Sequence, residues 1–483
     1  MAAGACAPIG SIVLWSLRGA APAYIDSPLP PADLNSRFDW SVPCVLVALG
    51  VVHAWTALNF AGTSVGEFNL SLLGVGIISA IAWTFVFRRG RAPRLGRWTR
   101  GGLLLLPAYA LFQVIPIPLA LIRLISPHRA EVHEMVSQAV QQPAFTSISV
   151  LSSATIVYVL QIAFYASVFL LVRELTWRSS GHPWVMVAPV LLVAAGEAML
   201  GWAHYIAAAG AAPASGTFIN RNHFAGMLEM SLPFAVMYGL AALRGHRNRV
   251  ELSTRAALSA SLGFGLAMLI LMGIVFSFSR SGFSAALAGL LAMAGLGGGQ
   301  NLSPQVRKGA NALVLLAVAA AFFLLPPDAL IQRFADVSSL EEVRSQDRLE
   351  LWSETWELVK AYPLVGCGLG AYRAAFLEFK VTTPMVTDDY AHNDYLQCLA
   401  EMGVLGALIV AVLFFGFVRS ALIARTRLPT VDGRYLAIAC FGAMFSIALH
   451  SVTDFNLYIP ANAMLFAWIA GVASGLEAFI ESR

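Results

Sequence analysis

Charge is what this sequence has least of. Asp, Glu, Lys and Arg make up 12% of its 483 residues, against 58% hydrophobic ones. A soluble domain carries about 25% charged residues. The shortage excludes an ordinary soluble enzyme and assigns the chain's length to membrane spans. Cysteine is also sparse. The five, Cys6, Cys44, Cys367, Cys398 and Cys440, are scattered and form no metal-ligand spacing. Cys367 and Cys398 fall on one side of the expected topology, where a pairing stays open. No internal repeat, low-complexity tract or appended soluble domain stands out. Residues 8–17 are apolar but too short to span, and they lack a basic start and a clear cleavage site. Segment 1–40 therefore reads as cytoplasmic or interfacial. The formal net charge of +4 belongs to topology-setting arginines and gives no argument for a nucleic acid partner.

What the chain does have is apolar runs of spanning length. They fall at 41–60, 70–87, 101–125, 151–175, 184–209, 224–243, 256–279, 283–299, 310–327, 403–422, 435–455 and 463–480. The expected fold is an all-α polytopic membrane protein of about twelve transmembrane helices. Nine lie within 41–327 and three within 403–483, and one large helical loop, 328–402, separates spans nine and ten. Arginines set the orientation. Arg88, Arg89, Arg91, Arg94, Arg97 and Arg100 share a side with Arg244, Arg247, Arg249 and Arg255, with Arg307 and Lys308, and with Arg425, Arg427 and Arg434. The positive-inside rule makes that side cytoplasmic and turns the long loop outward.

The loop is the polar exception. Residues 328–394 carry twelve Asp or Glu against six Lys or Arg. Ser345 to Tyr362 has helical periodicity, with Leu349, Trp352, Trp356 and Val359 on one face. Pro363 ends that helix, Gly366, Gly368 and Gly370 form a turn, and Ala371 to Val381 reads as a second short helix. The loop is expected to be a folded cap. On the same side, 126–150 reads as an amphipathic surface helix containing Glu131, His133, Glu134 and Gln138.

Four motifs on the outer side carry the chemistry. Gly216-Thr-Phe-Ile-Asn-Arg-Asn-His223 flanks Arg221 with Asn220 and Asn222. It suits anion binding through charge-assisted hydrogen bonds, or interfacial snorkelling. Ser277-Phe-Ser-Arg-Ser-Gly282 joins two spans almost without a loop, so Arg280 sits at the membrane edge, where a cation needs a partner. Its bland alternative is a structural pair with Glu229 or Glu197. Arg348 and Trp352 lie four residues apart on the loop helix; Arg348 reaches toward a headgroup or pairs locally with Asp347 or Glu350. Ala391-His392-Asn393-Asp394-Tyr395 offers a histidine able to accept a proton near neutral pH. His450, Asp454 and Asn456 in the last outer turn are candidates to orient it. Arginines at the lipid boundary suit a phosphate or diphosphate headgroup, and a nearby histidine suits activation of a hydroxyl. Together they suggest direct, inverting group transfer from a lipid diphosphate. Asp388, Asp389 and Asp394 are a weak alternative cation site.

These motifs, with Pro363-Leu-Val-Gly-Cys-Gly-Leu-Gly370, Glu401, Gly403 and His450 through Asn462, resemble the O-antigen ligase and O-antigen polymerase superfamily of bacterial inner-membrane glycan transferases. Their order and spacing over about 216–462 carry the resemblance; residues 1–210 hold no signature of it. The resemblance implies an undecaprenyl-diphosphate-linked glycan donor and transfer at the periplasmic face without metal or cofactor. It implies diphosphate-binding arginines at Arg221, Arg280 and Arg348, and an essential loop histidine at His392. Asn220, Asn222, Asn393, Trp352, His450 and Asp454 complete the expected substrate site. The acceptor sugar stays open: lipid A-core for a ligase, a second lipid-linked repeat for a polymerase, with Ser or Thr for protein-glycosylating members. A transporter or flippase of an anionic lipid-linked substrate is the competing class. Glu197 and His204, seven residues apart on one helical face, are the features in its favour; the missing repeat and the one-sided cations oppose it.

Overall fold

The computed structural model describes residues 41–88, 90, 92–140, 144–179, 181–243, 253–297, 348–382 and 388–482. The expected segment 1–40, the run at 310–327, the start of the loop at 328–347, and Arg89, Arg91, Arg244, Arg247, Arg249, Arg307 and Lys308 lie outside the described residues.

Among the described residues, nine helices are long and apolar enough to cross a membrane. They are α1 (Ser41–Leu58), α2 (Val65–Val86), α6 (Ser152–Arg178), α7 (Pro183–Ala207), α8 (Arg221–Leu243), α9 (Thr254–Phe276), α13 (Asp394–Arg427), α14 (Val431–His450) and α15 (Pro460–Glu481). Between them lie α3 (Arg97–Phe112), α4 (Leu119–Ile125), α5 (Pro127–Ala139) and α10 (Arg280–Gly295). The cap holds α11 over 348–361 and α12 (Tyr372–Phe376). The protein is therefore a multi-pass helical membrane protein.

The run 101–125 is not one span. α3 stops at Phe112 after 16 residues, or about 24 Å against a hydrocarbon core of about 30 Å. Pro116 and Pro118 follow, and the chain turns into a two-residue strand, β1 (Ile117–Pro118), paired antiparallel with β2 (Phe145–Thr146). Apolar composition alone hides this break, because the turn residues are themselves greasy. α10, also 16 residues long, occupies the short run read at 283–299. The surface segment 126–150 is helical only over α5.

The interior belongs to α8 and α15, each buried over most of its length, whereas α2 is mostly exposed. α8 packs on α9 and α14, and α15 packs on α6. Small residues allow the closest approach: a Cβ on Gly263 of α9 would lie 2.5 Å from the Gly239 nitrogen of α8.

The cap is held to the bundle by a helix break. α13 is interrupted at Gly403, which has φ +61°. The break removes the partners of the Ala400 and Glu401 carbonyls and of the Val404 and Leu405 amides. The glycine-rich turn replaces them. Cys367 N–H donates to Ala400 O at 2.9 Å and Gly368 N–H to Glu401 O at 3.0 Å, while Val404 N–H donates to Pro363 O at 2.9 Å and Leu405 N–H to Leu364 O at 3.2 Å. Gly366 and Gly403 must both lack a side chain. A Cβ on the first would lie 2.2 Å from Glu401 O, and on the second 2.4 Å from Leu364 O. Buried Gln113 at the end of α3 closes the joint. Its Nε2 donates to Val365 O at 2.8 Å and Glu401 O at 2.9 Å, and its Oε1 accepts from Leu369 N–H at 3.0 Å.

Within the cap, the buried stripe of α11 differs from the expected one. Leu351, Leu358 and Val359 join Tyr362, Tyr372 and Phe376 in the cap's core, whereas Leu349 and Trp356 are exposed. α12 is shorter than the expected 371–381. Cys367 and Cys398 are both free thiols.

Candidate active site

His392 stands on a backbone fixed from both sides. The Ala391 amide donates to Gln397 Oε1 at 2.6 Å, and the Ala391 carbonyl accepts from Trp352 Nε1 at 2.9 Å. This grip holds His392 at φ +48°, a left-handed conformation that costs a non-glycine residue about 1–3 kcal/mol. Asn393 then caps α13, its Oδ1 accepting from the Tyr395 and Leu396 amides at 3.0 Å each. Asp394 knits the start of α13 to the turn after α14. Its amide donates to Ser451 O and Asp454 O at 2.9 and 3.2 Å, and its Oδ2 accepts from Ser451 Oγ at 2.6 Å.

That turn carries Asp454, the hub of the site. Asp454 is fully buried. Its Oδ1 lies 3.3 Å from His392 Nδ1 and 3.4 Å from His223 Nε2. Its Oδ2 accepts from Asn222 Nδ2 at 2.8 Å, and Oδ1 also accepts from the Phe455 amide at 2.9 Å. Burial alone would push this carboxyl up, but hydrogen bonds and charge from His223 and His392 hold it well below the ordinary carboxylate range. An ionised Asp454 at Nδ1 selects the tautomer with the proton there. Nε2 of His392 is then the acceptor, on a side chain that is 33% exposed. Phe455 fixes the ring plane. It stacks on Tyr390 with centroids 4.1 Å apart and meets His392 and His223 edge-on at 4.8 and 4.6 Å.

Two of the expected arginines begin helices. Arg221 is the first residue of α8 and half-buried; Arg280 is the first residue of α10 and exposed. Each is followed by a residue that reaches the end of α14 or the turn after it: Ser281 to His450, and Asn222 to Asp454. Half-buried Arg348 lies one helical turn before Trp352, the residue that holds the His392 backbone. Asn220 is spent as the cap of α8, its Oδ1 accepting from the Asn222 amide at 2.8 Å. Glu197 anchors the same motif by accepting from Thr217 N–H at 2.9 Å and Thr217 Oγ1 at 2.7 Å. Glu229, considered above as a partner of Arg280, instead meets His450 Nδ1 at 3.0 Å, and His450 Nε2 meets Ser281 Oγ at 3.0 Å.

The structure thus brings His392, Asp454, Asn222 and Trp352 into one hydrogen-bonded unit and joins His450 to Glu229 and Ser281 beside it. Asn220 and Asn393 act as helix caps, which an Asn immediately before a helix start signals in sequence. His223, Ser281, Gln397 and Phe455 are missed by reading the sequence. Only the adjacency of His223 and Ser281 to the motif arginines hints at them. The three loop aspartates are dispersed: Asp388 pairs with Lys380, Asp389 with Arg373, and Asp394 with Ser451.

Residues 265–411 match the family model described as O-antigen ligase. The matched stretch contains Arg280, Arg348, Trp352 and His392, and it ends before His450 and Asp454. Comparison with curated proteins gives no match. The resemblance read from the motifs is borne out by this match, which supports membrane-embedded glycan transfer of the O-antigen ligase and polymerase type.

Proposed function

We propose that this protein transfers a glycan from undecaprenyl diphosphate to a sugar hydroxyl at the periplasmic face of a bacterial inner membrane. The observation that carries the reading is His392 Nδ1 on buried Asp454, which leaves Nε2 as the acceptor of a partly exposed side chain. In the reaction, Nε2 takes the acceptor O–H proton as that oxygen attacks the anomeric carbon. The bond from that carbon to the diphosphate oxygen breaks, its electron pair stays on the diphosphate, and the carbon inverts. Asp454 stabilises the imidazolium that forms. Arg221, Arg280 and Arg348 bind the donor diphosphate, their forks suited to bridging phosphate oxygens as charge develops.

The arginine distribution supports the orientation. Arg88, Arg94, Arg97, Arg100, Arg178, Arg255, Arg425, Arg427 and Arg434 gather at the helix ends away from His392, which by the positive-inside rule face the cytoplasm. The bonding of Glu197 to Thr217 weakens the transporter reading, because one of its two motivating residues anchors the Arg221 motif instead.

The test is transfer by the purified protein in lipid nanodiscs, given an undecaprenyl-diphosphate-linked glycan and a sugar acceptor. His392→Ala is expected to stay folded and to lose about 10³-fold in rate. Normal product from that variant would remove the general base from the scheme.

A further inference from the structure

Beside the His392 unit lies a second chain of polar groups that the transfer scheme leaves unused. Ser281 of α10, His450 of α14 and Glu229 of α8 come from three helices. Glu229 Oε2 is 3.0 Å from His450 Nδ1, and His450 Nε2 is 3.0 Å from Ser281 Oγ. Glu229 and His450 are buried to 0% and 1% exposure, whereas Ser281 is half-buried and directly follows exposed Arg280. Glu229 Oε1 has no hydrogen-bond partner among the described residues. A buried carboxylate and imidazole are costly to keep for packing alone, since apolar residues of similar size serve as well or better. The chain runs from the buried interior to Ser281, the residue next to a motif arginine, whose Oγ also lies 3.4 Å from Ser279 Oγ.

The direction of the hydrogen bonds determines what that end can do. A serine hydroxyl has one proton and two acceptor sites. When His450 is an imidazolium, donating at Nδ1 to Glu229 and at Nε2 to Ser281, and Ser279 Oγ, 3.4 Å away, donates into the serine's second acceptor site, the serine's own proton turns outward. An outward hydroxyl proton beside Arg280 is a donor to an anion. The reverse arrangement, Ser281 donating to Nε2, would present only lone pairs and repel one. The other acidic groups near His450 are Asp394 and Asp454 on the adjoining helix start and turn.

We infer that Ser281 is a further ligand of the donor diphosphate, with His450 and Glu229 as the positioning pair that turns its hydroxyl proton toward the substrate. This deepens the reading under Proposed function and rests on it. No covalent step is involved: Ser281 donates a hydrogen bond, and the diphosphate oxygen accepts it.

The test measures binding of undecaprenyl diphosphate to the full-length protein in nanodiscs, with undecaprenyl monophosphate as the reference probe. Ser281→Ala is expected to weaken diphosphate binding about tenfold, the worth of a hydrogen bond to a charged group. Ser281→Thr, which keeps the hydroxyl, should restore it to within about threefold. Glu229→Gln should weaken it as Ser281→Ala does, and the double variant should be no worse than either single one. A purely structural role would lower folded yield and thermal stability in all three and move both probes alike, with no rescue by threonine. Unchanged diphosphate binding in folded Ser281→Ala, while Arg280→Lys is impaired, overturns the inference and leaves the transferase reading standing. Failure of the wild type to bind either probe overturns both.

Discussion

The two ends of the helix bundle use their carboxylates in opposite ways. At the end where α6, α13 and α15 gather their later residues, a carboxylate holds a guanidinium. Glu174 pairs with Arg178 at 2.9 Å and Glu477 with Arg419 at 3.0 Å, while Arg173 bridges to Pro93 O and Ser474. At the end that carries the cap, two fully buried carboxylates hold imidazoles, Asp454 holding His392 and His223 and Glu229 holding His450, while the carboxylate–guanidinium pairs there, such as Asp389 with Arg373, are exposed. A guanidinium stays protonated throughout the accessible pH range, so its pair can only fasten helices. An imidazole exchanges a proton near neutrality, so a carboxylate beside it decides where its protons sit. The first arrangement is a staple. The second specifies where a proton can go.

Substitutions that preserve shape but remove charge separate the two uses. The largest effect is expected for Asp454→Asn, which keeps the volume but loses the charge that sets the His392 tautomer. Transfer should fall about 10²- to 10⁴-fold with the protein still folded. The same variant has a signature in pH. Because Asp454 is held well below the usual carboxylate range, its ionised form stabilises the fold fully above about pH 4, and that contribution is lost as pH falls further. Wild-type thermal stability should therefore drop more steeply between about pH 4 and 3 than that of Asp454→Asn. Identical slopes would mean that the carboxylate is not stabilised in the fold.

Next in size is Arg280→Lys. A point charge cannot reproduce a two-pronged contact, so the KM for the diphosphate-linked donor should rise about tenfold or more. An unchanged donor KM would remove Arg280 from diphosphate recognition. Smallest is Glu477→Gln at the stapled end. Thermal stability of the purified protein should fall slightly, with transfer within about twofold of wild type. A large loss of activity there would break the contrast between the ends.

Most spans were legible because apolar length is a strong signal, and the helix starts at Arg221 and Arg280 fall where motifs pointed. The errors share one cause: local sequence does not report what a distant segment supplies. The break after Phe112 was hidden because Gln113 turns inward to satisfy backbone groups near Val365 and Glu401, more than 250 residues away. The true start of α13 at Asp394, with its interruption at Gly403, was read as loop followed by span, because a single glycine in an apolar run gives no sign of the turn that fills the break. In the site, His392 and Arg280 stood out by residue type and position. The grip of Trp352 on Ala391 and the bond from His392 to Asp454 join residues 39 and 62 apart. The sequence could nominate Trp352 and Asp454 but not their roles.

The central claim is that His392 and Asp454 act as one base, and a double-variant comparison tests it most directly. In nanodiscs, kcat/KM for glycan transfer is measured for wild type, His392→Ala, Asp454→Asn and the combined variant. A unit loses its function once, so the combined variant should be no slower than His392→Ala alone. Losses that multiply would contradict the account, because they would mean that Asp454 contributes to transfer without His392.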